Sequence, residues 1–555
     1  MNINYLYPYF KLDALNGFVA LAVGLFSVLI IIYSFGFMKA RPRSFEYYTY
    51  IILTAIVSIL AILSNNLILL LVFWGFLGLT LYLLINMGDE QSNLVAKKTF
   101  IIVGGSDALM LLGIAIIYYL AGTFQMDKIK IPASSIQHPA SIIAYLCLAI
   151  ACFAKAGAMP FHSWIPDCAK SAPLPVVAFL PASLDKLLGI YLLARISLDL
   201  FVMNEAMNVF LMLIGALTII AAVMMALVQH NMKRLLGYHA VSQVGYMVLG
   251  IGTGNPIGIA GGIFHMLNHA VYKSCLFLSA GNVEYRTKTS ELDELGGMSK
   301  LMPITYVSCL IASLSISGVP PFNGFVSKWM VYQGLISSIQ HPASSIQIVS
   351  IVCLVAAMFG SGLTLASFMK LLHATFLGQP KTENRKPNTE VSWTMWLPCL
   401  ILAIICIIFG VFAFQIPLKY FIFPVIKDVT FIGIWYAGLS TLLIIAGLIL
   451  GLLIFKLKGL RPNIRQDATF VGGEITDFAE NRATGTEFYN TVKELGLLST
   501  IYKRAEAGFF DIYEQGKKFI FYISGIFQYL HNGVLPTYLT WCLLGMIGLF
   551  YLLLR

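Results

Sequence analysis

The sequence predicts an all-α protein that crosses a membrane about 14 times. Of its 555 residues, 58% are hydrophobic and only 11% are charged, which is typical of integral membrane proteins rather than soluble ones. Apolar runs long enough to span a bilayer recur along almost the whole chain. They cover residues 13–36, 49–63, 66–86, 98–121, 140–165, 174–197, 205–228, 237–252, 257–281, 302–332, 347–377, 393–415, 430–456 and 534–554.

The loops between these runs differ in charge from one side of the predicted membrane to the other. Alternate loops are basic, and they contain Lys39, Arg41, Arg43, Lys97, Lys98, Lys233, Arg234, Arg286, Lys288, Lys300, Lys381, Arg385, Lys386, Lys456, Lys458 and Arg461. The positive-inside rule assigns these loops to the cytoplasm and both termini to the outside. Lys128, Lys130, Lys419 and Lys427 are exceptions on the outer side. The net charge of +10 therefore reflects membrane topology and does not indicate a nucleic-acid partner.

Two interrupted spans organise the predicted fold. The string Ala156-Gly157-Ala158-Met159-Pro160-Phe161 recurs as Ser317-Gly318-Val319-Pro320-Pro321-Phe322. Each break falls in a predicted five-helix repeat, residues 49–197 and 198–377. Because five is odd, the two repeats must be inverted relative to each other in the membrane. Paired broken helices in inverted repeats are the best indication of a transport site that a sequence offers.

The remaining chain is predicted to form four regions around the repeats. Residues 1–48 are an N-terminal span and loop, residues 378–456 are additional spans, and residues 531–555 are the final span. Between them, residues 457–530 form a polar segment followed by an amphipathic helix from 495 to 528. That helix is too charged to span, so we expect it to lie laterally along the cytoplasmic interface. A solvated linker helix is the alternative.

Titratable residues within the predicted spans are costly to retain, which makes them candidates for function. Lys155 directly precedes the first break, and Lys328 follows the second. His265, His269 and Lys273 are spaced i, i+4, i+8 and so share one helix face. Such a row can pass protons through intervening water, because histidine titrates near neutral pH. A hydrogen-bonded polar seam between helices is the alternative.

The acidic candidates are fewer. Asp107 stands alone in its span, whereas Asp185 and Lys186 are adjacent and point about 100° apart on one helix. For each aspartate, a structural ion pair and a transport role are both open. Trp164 is expected to be an interfacial anchor, and Lys370 is expected to snorkel to the membrane surface from a helix end, as is His373.

Four longer strings carry a family resemblance. They are Lys155 with Pro160-Phe161-His162-Ser163-Trp164-Ile165-Pro166-Asp167; Lys233-Arg234-Leu235-Leu236-Gly237-Tyr238 with Ser242-Gln243-Val244-Gly245-Tyr246-Met247; Phe264 to Lys273; and Gly318-Val319-Pro320-Pro321 with Gly324-Phe325-Val326-Ser327-Lys328. In these strings, the chain resembles the antiporter-like subunits shared by respiratory complex I, multisubunit cation/proton antiporters and energy-converting membrane-bound hydrogenases.

The resemblance implies an inverted-repeat fold that moves protons or Na⁺ along a central hydrophilic axis. Lys155, the row His265, His269 and Lys273, and Lys328 would be its residues, with Asp107, Asp185 and Lys186 as further candidates for ion translocation. The lateral helix and last span resemble the longest complex I paralogue. Compared with that paralogue, the chain starts at the third helix, so we expect two fewer helices.

The chain departs from the family pattern at two positions near Lys155. In the string Phe73-Trp74-Gly75-Phe76, Gly75 stands where the family usually has a glutamate, and Pro181 stands where it has a histidine. Lys155 therefore lacks its usual acidic partner. Our hypothesis is that Asp107 or Asp185 replaces it.

Two further strings are similar to the hydrogenase-type members: Leu184-Asp185-Lys186-Leu187-Leu188-Gly189-Ile190-Tyr191, and Phe470-Val471-Gly472-Gly473-Glu474 with Gly485-Thr486-Glu487-Phe488-Tyr489. They imply a non-catalytic, ion-translocating subunit of a hydrogenase-type redox complex in the cytoplasmic membrane of a prokaryote. Its partners would be other antiporter-like subunits and a peripheral redox arm with ferredoxin as electron donor. The alternatives are a subunit of complex I, a subunit of a redox-free Na⁺/H⁺ antiporter, and a membrane anchor that has lost transport.

We expect no cofactor in this chain. Its nine cysteines form no CxxC motif and no Cys/His ligand cluster. Iron–sulfur clusters, and a NiFe centre in the hydrogenase case, would lie on partner subunits.

Overall fold

The computed structural model describes residues 8–39, 41–131, 139–340, 345–378, 389–457 and 485–554. These residues form helices joined by loops, with only isolated β-bridges between extended residues. Eleven of the described helices are long and apolar enough to cross a membrane. The all-α, multi-pass fold class is therefore confirmed, while the total of about 14 spans stays a prediction.

The chain forms two compact units, Met1–Leu495 and Gly496–Arg555. The helices of the first are α1 Ala14–Phe37, α2 Ser44–Leu63, α3 Leu67–Ile85, α4 Ser92–Ala121, α5 Pro139–Ala156, α6 Trp164–Ser171, α7 Leu174–Phe179, α8 Asp185–Arg195, α9 Glu205–Leu227, α10 Met232–Gly252, α11 Pro256–Thr287, α12 Pro303–Ser317, α13 Asn323–Gln340, α14 Ser345–Leu372, α15 Trp393–Val411, α16 Ala437–Leu457 and α17 Asn490–Glu494. The second contains α18 Gly496–Glu506, α19 Ile512–Leu530 and α20 Leu535–Leu553.

Short polar residues fix where several spans begin. The side chains of Asp13, Asn66, Asn204, Asn231 and Asn255 each accept a backbone N–H from the first turn of the helix that follows. Such a cap satisfies a donor that the helix leaves unpaired, and its loss typically costs about 1 kcal/mol. The capped starts of α1, α3, α9, α10 and α11 therefore hold the helix ends in register.

Both predicted helix breaks are present. α5 ends at Ala156 and α6 begins at Trp164, while α12 ends at Ser317 and α13 begins at Asn323. Gly157 and Gly318 follow the first helix of each pair with φ values of 77° and 81°. This left-handed conformation favours glycine and ends an α-helix. The repeated strings therefore mark equivalent turns at which backbone polar groups leave the helical ladder.

A further interruption lies in the span Leu174–Leu200. A π-helical turn, Leu180–Leu184, separates α7 from α8 and contains Pro181. The apolar window of this span is entirely buried within the protein. π-turns are frequent at functional sites, and this one sets Asp185 and Lys186 at the start of α8.

Two other buried helices, α10 and α11, have the length of a span but carry polar side chains. α10 packs closely against α9. A Cβ atom added to Gly215 would lie only 2.7 Å from the backbone nitrogen of Leu249. Small residues allow such close packing of membrane helices. The polar side chains of α10 and α11 are thus enclosed by helices rather than facing lipid.

The second unit differs from the predicted single amphipathic helix. The segment is divided into α18 and α19. Gly508 has a φ of 74°, and the side chain of Asp511 accepts the backbone N–H of Tyr513 to begin α19. A left-handed glycine followed by a capping aspartate ends one helix and starts the next. Most of the preceding polar segment, including Phe470 to Glu474, lies outside the described residues.

Candidate functional site

Lys155 and Asp185 form a buried ion pair. The Nζ of Lys155, on the last turn of α5, lies 3.5 Å from Oδ1 of Asp185 at the start of α8. The two side chains are only 1% and 2% exposed. The same Nζ lies 5.5 Å from the ring centroid of Trp74 on α3. The carboxylate and the indole face together compensate an ammonium that would otherwise be costly to bury.

Asp107 on α4 is a second carboxylate beside this pair. It interacts electrostatically with Lys155 and with the indole N–H of Trp74. Its Oδ1 is buried and has no hydrogen-bond partner among the described residues. A Cβ atom added to Gly78 would lie 3.9 Å from Oδ2 of Asp107, whereas one added to Gly75 would contact nothing within 4 Å. Both acidic candidates therefore surround Lys155, with Asp185 in direct contact.

Lys186 lies beside the first break. Its Nζ lies 5.7 Å from the ring centroid of Trp164 and has no hydrogen-bond partner among the described residues. A Cβ atom added to Gly157 would lie 3.5 Å from this nitrogen. The turn at the first break and the ring of Trp164 thus lie beside the buried ammonium of Lys186.

The prediction that Trp164 is an interfacial anchor is wrong. Its side chain is fully buried, and its Nε1 donates a hydrogen bond to the carbonyl oxygen of Ala154, 3.1 Å away. Ala154 belongs to the last turn of α5, where carbonyl groups lack helical partners. Trp164 therefore joins the two sides of the first break.

His265 is held in a hydrogen-bonded network on α11. Its Nδ1 lies 2.9 Å from the Oγ of Ser327, and its Nε2 lies 3.2 Å from both Oε1 of Gln243 and the hydroxyl of Tyr272. The imidazole is fully buried. These contacts orient the ring and connect α11 with α10 and α13, as expected for a polar seam.

His269 and Lys273 continue the row without such partners. Neither ring nitrogen of His269, nor the Nζ of Lys273, has a hydrogen-bond partner among the described residues. The Nζ of Lys273 lies 5.4 Å from the ring of Phe277 and 5.7 Å from that of Phe368. Buried polar atoms are usually hydrogen-bonded, commonly by water. The row therefore combines one histidine held by hydrogen bonds with two groups for which water would be the hydrogen-bond partner.

Lys328 is buried at the second break. It is 2% exposed, and its Nζ donates a hydrogen bond to the carbonyl oxygen of Ile316 at 2.9 Å. The Nζ also lies 4.6 Å from the ring centroid of Tyr246. Its ammonium is therefore held within the protein by the broken helix and an aromatic face.

His239 was missed by the sequence reasoning. This fully buried residue of α10 has its Nε2 2.7 Å from the Oγ of Ser367 on α14. Its ring centroid lies 4.7 Å from that of Phe368, and it interacts electrostatically with Lys273 and Lys328. The available signal was a histidine inside a predicted span, between two of the strings that carry the resemblance.

The expectation that Lys370 snorkels is also wrong. Its side chain is 4% exposed, and its Nζ donates hydrogen bonds to the carbonyl oxygens of Leu227, 2.5 Å away, and Gln229, 2.8 Å away. These carbonyls lie at the C-terminal end of α9, where a cation is favoured by the helix dipole. Lys370 therefore caps a helix. His373, by contrast, is exposed.

The eight predicted residues belong to one electrostatic network. Asp107 and Asp185 interact with Lys155, and Lys186 interacts with Asp185, His269 and Lys273. His265 interacts with His269 and with Lys328. The network joins the two helix breaks, with carboxylates at the first-break end and cationic or neutral groups beyond. Its residue types can bind and release protons, and its carboxylates offer oxygen ligands to Na⁺.

Comparison with known families identifies the motif-bearing region. A model described as NADH:quinone oxidoreductase/Mrp antiporter, transmembrane, matches residues 64–360. The Na(+)/H(+) antiporter subunit A1 of Staphylococcus haemolyticus is 32% identical over 422 residues, 72% of this chain and 52% of that protein. The corresponding subunit of Staphylococcus aureus is 31% identical over 418 residues, with the same coverage. The chain thus spans about half the length of the curated relatives it matches.

Two solved complexes contain chains of similar fold. One is the membrane-bound sulfane sulfur reductase, an archaeal respiratory membrane complex, with a TM-score of 0.80, 21% identity and coverage of 98% of this chain and 89% of the other. The other is the Mrp complex from Dietzia sp. DQ12-45-1b, with a TM-score of 0.68, 22% identity and coverage of 76% and 84%. At these identities the likeness concerns the fold alone.

Proposed function

The chain belongs to the NADH:quinone oxidoreductase/Mrp antiporter membrane family, and we propose that it moves protons or Na⁺ as a subunit of a multisubunit Na⁺/H⁺ antiporter. It is a multi-pass, antiporter-like membrane subunit. The observation that carries the proposal is the buried electrostatic network between the two helix breaks. A passive anchor gains nothing from so many enclosed charges, which are costly in a membrane.

The Lys155–Asp185 pair is the proposed point where an arriving ion is sensed. A proton that binds Asp185, or a Na⁺ that takes its place beside the carboxylate, removes the attraction that holds the Lys155 ammonium. The released charge then repels the neighbouring Lys186, which interacts with His269 and Lys273. Movement of charge at the first break is thereby transmitted along α11 toward Lys328.

A redox-free antiporter is the preferred setting, because the curated relatives are Na(+)/H(+) antiporter subunits. This differs from the hydrogenase-type expectation drawn from the sequence. A subunit of a redox complex is the second candidate, supported by the fold match that extends over 98% of the chain. In that setting ferredoxin, a peripheral redox arm and metal cofactors would belong to partner subunits. In either setting we propose the cytoplasmic membrane of a prokaryote.

One experiment separates these functions. The intact complex would be purified through a tag on this chain, analysed for subunits and metals, and reconstituted into liposomes. We expect a pH gradient to drive Na⁺ or proton flux without any reductant. Iron-rich partners together with flux that requires a reductant would favour the redox complex. An intact complex that is inactive under both conditions would identify a membrane anchor.

A further inference from the structure

A polar cavity of about 350 Å³ lies on the side of the first repeat opposite the basic loops. It is formed by residues near the start of α1, between α2 and α3, after α4 and at the end of α8. Its walls carry three cations and three carboxylates, namely Lys11, Lys130, Arg195, Asp13, Asp127 and Asp199. Since a water molecule takes up about 30 Å³, this volume accommodates on the order of ten.

The carboxylates of this cavity are shared unevenly among its cations. Arg195 is shared between two carboxylates, those of Asp13 and Asp199, and its Nε also donates to the hydroxyl of Tyr191 at 3.1 Å. Lys11 pairs with Asp127 at 3.5 Å. The side chain of Asp199 is 48% exposed, so a carboxylate stands at the rim. A cation approaching Arg195 therefore meets two carboxylates beside it.

One amide at the cavity wall lacks a partner for its donor group. Asn65 lines the cavity and is only 4% exposed, yet its Nδ2 has no hydrogen-bond partner among the described residues. Its Oδ1, in contrast, accepts the backbone N–H of Asp127 at 3.2 Å. Buried donors are rarely left unpaired. Water is the usual partner of such a buried donor.

Two helices connect the cavity with the buried ion pair. α5 carries Lys155 in its last turn, and α8 begins at Asp185 and continues into a π-helical turn, Ile196–Leu200. At that far end, the hydroxyl of Tyr145 on α5 lies 3.1 Å from the Oγ of Ser197 in the turn. Asp185 and Arg195 are ten residues apart on α8, about 15 Å along the helix axis. Between them, Gly189 packs so closely that an added Cβ atom would lie 2.8 Å from the backbone nitrogen of Ala156.

We propose that this cavity is the outer vestibule of the ion path, a hydrated binding site for H⁺ or Na⁺ that exchanges with the Lys155–Asp185 pair along the seam between α5 and α8. The inference rests on the proposed transport function and adds an access route on the outer side of the first repeat. The close packing at Gly189 closes the seam in this structure. Exchange therefore requires α5 and α8 to separate at this point.

The test uses charged, membrane-impermeant thiol reagents on the reconstituted complex. Among the described cysteines only Cys542 is exposed, so Cys542→Ser serves as the parent. Leu198→Cys introduces a thiol into the cavity wall, and Leu192→Cys is a matched control in the same span, on α8, where Leu192 is fully buried. Labelling is scored on this chain by mass, and flux is compared with the parent treated in the same way.

We expect Leu198→Cys to react from the outer side only, and Leu192→Cys to stay unreacted. A positively charged adduct at position 198 should lower flux about tenfold or more relative to a negatively charged one, because charge in a cleft controls ion access. Assays with and without Na⁺ distinguish a sodium path from a proton path. The inference is overturned if the parent transports but position 198 does not react, or reacts with no difference between adducts. A parent that shows no flux overturns the proposed function, and the vestibule with it.

Discussion

Lys328 donates a hydrogen bond to the carbonyl oxygen of Ile316. Ile316 is the residue that corresponds to Lys155 in the second repeat. Ile316 and Lys155 each lie two positions before the left-handed glycine of their break. The two lysines are thus not equivalent in sequence, since one precedes its break and the other follows it. They also differ in their partners, because Lys155 faces a carboxylate and Lys328 faces a backbone carbonyl.

The direct contact between Lys155 and Asp185 predicts that Asp185 contributes more to ion flux than Asp107. Asp185→Asn leaves the buried Lys155 ammonium without its contacting carboxylate, and breaking a buried pair typically costs about 3–5 kcal/mol. We expect at least a tenfold loss of flux, on the order of 1.4 kcal/mol in barrier. Asp107→Asn, the matched control, should cause a smaller loss. Flux normalised to the amount of assembled complex measures both, and equal retention of flux by the two variants would exclude a carboxylate partner for Lys155.

Gly75 is not placed to supply a replacement carboxylate. It is exposed, and a Cβ atom added there contacts nothing within 4 Å, whereas the adjacent Trp74 is buried with its ring toward Lys155. Adjacent helix positions point in different directions, so we expect Gly75→Glu not to restore the flux lost in Asp185→Asn. Gly75→Gln, which has the same shape but no charge, is the control. Recovery with glutamate but not with glutamine would show that a carboxylate at position 75 reaches Lys155.

Lys328 and Lys370 should separate transport from stability. Lys370→Met removes the cap of α9, so we expect a lower melting temperature, with a loss of up to about 2 kcal/mol, and unchanged flux per assembled complex. Lys328→Met should instead abolish flux while the complex assembles. Thermal unfolding and flux measured on the same preparations test both statements. The assignment of roles fails if Lys370→Met loses flux without losing stability.

His239 should influence how flux depends on pH. His239→Gln keeps a hydrogen-bonding group near Ser367 but removes a titratable ring from the neighbourhood of Lys273. We expect lower flux and an altered pH profile, whereas Ser367→Ala, which removes only the hydrogen bond, should shift the rate with little change in profile. His230→Gln, at a partly exposed position, is the control. A profile identical to that of the parent would make His239 a packing residue.

The glycine of the second break should be irreplaceable. Gly318→Ala forces a Cβ into a left-handed conformation, at a cost of about 1–2 kcal/mol, and 3.1 Å from Cδ of Lys328. We expect reduced stability together with reduced flux. Gly362→Ala is the matched control, because Gly362 lies within α14 with open space around it. Comparable losses in the two variants would argue against a special role for the break.

The sequence was sufficient to predict both breaks and the row His265, His269 and Lys273. Glycine and proline interrupt helices locally, and i, i+4, i+8 spacing defines a face without knowledge of any neighbour. It was not sufficient to choose between Asp107 and Asp185, because that choice depends on which helix packs beside α5. The π-turn that precedes Asp185, the burial of Trp164 and the position of His239 likewise follow from packing between helices, which sequence periodicity does not encode.

The enclosure of the span Leu174–Leu200 has a consequence for how the protein is made. α11, which carries Lys273, is synthesised later than α8, so the finished surroundings of Lys186 do not yet exist when that helix leaves the ribosome. α5 is already present, however, and brings Lys155 to meet Asp185. Chain order therefore lets the acidic group find its counter-charge during membrane insertion, while the lysine beside it must wait for the second repeat.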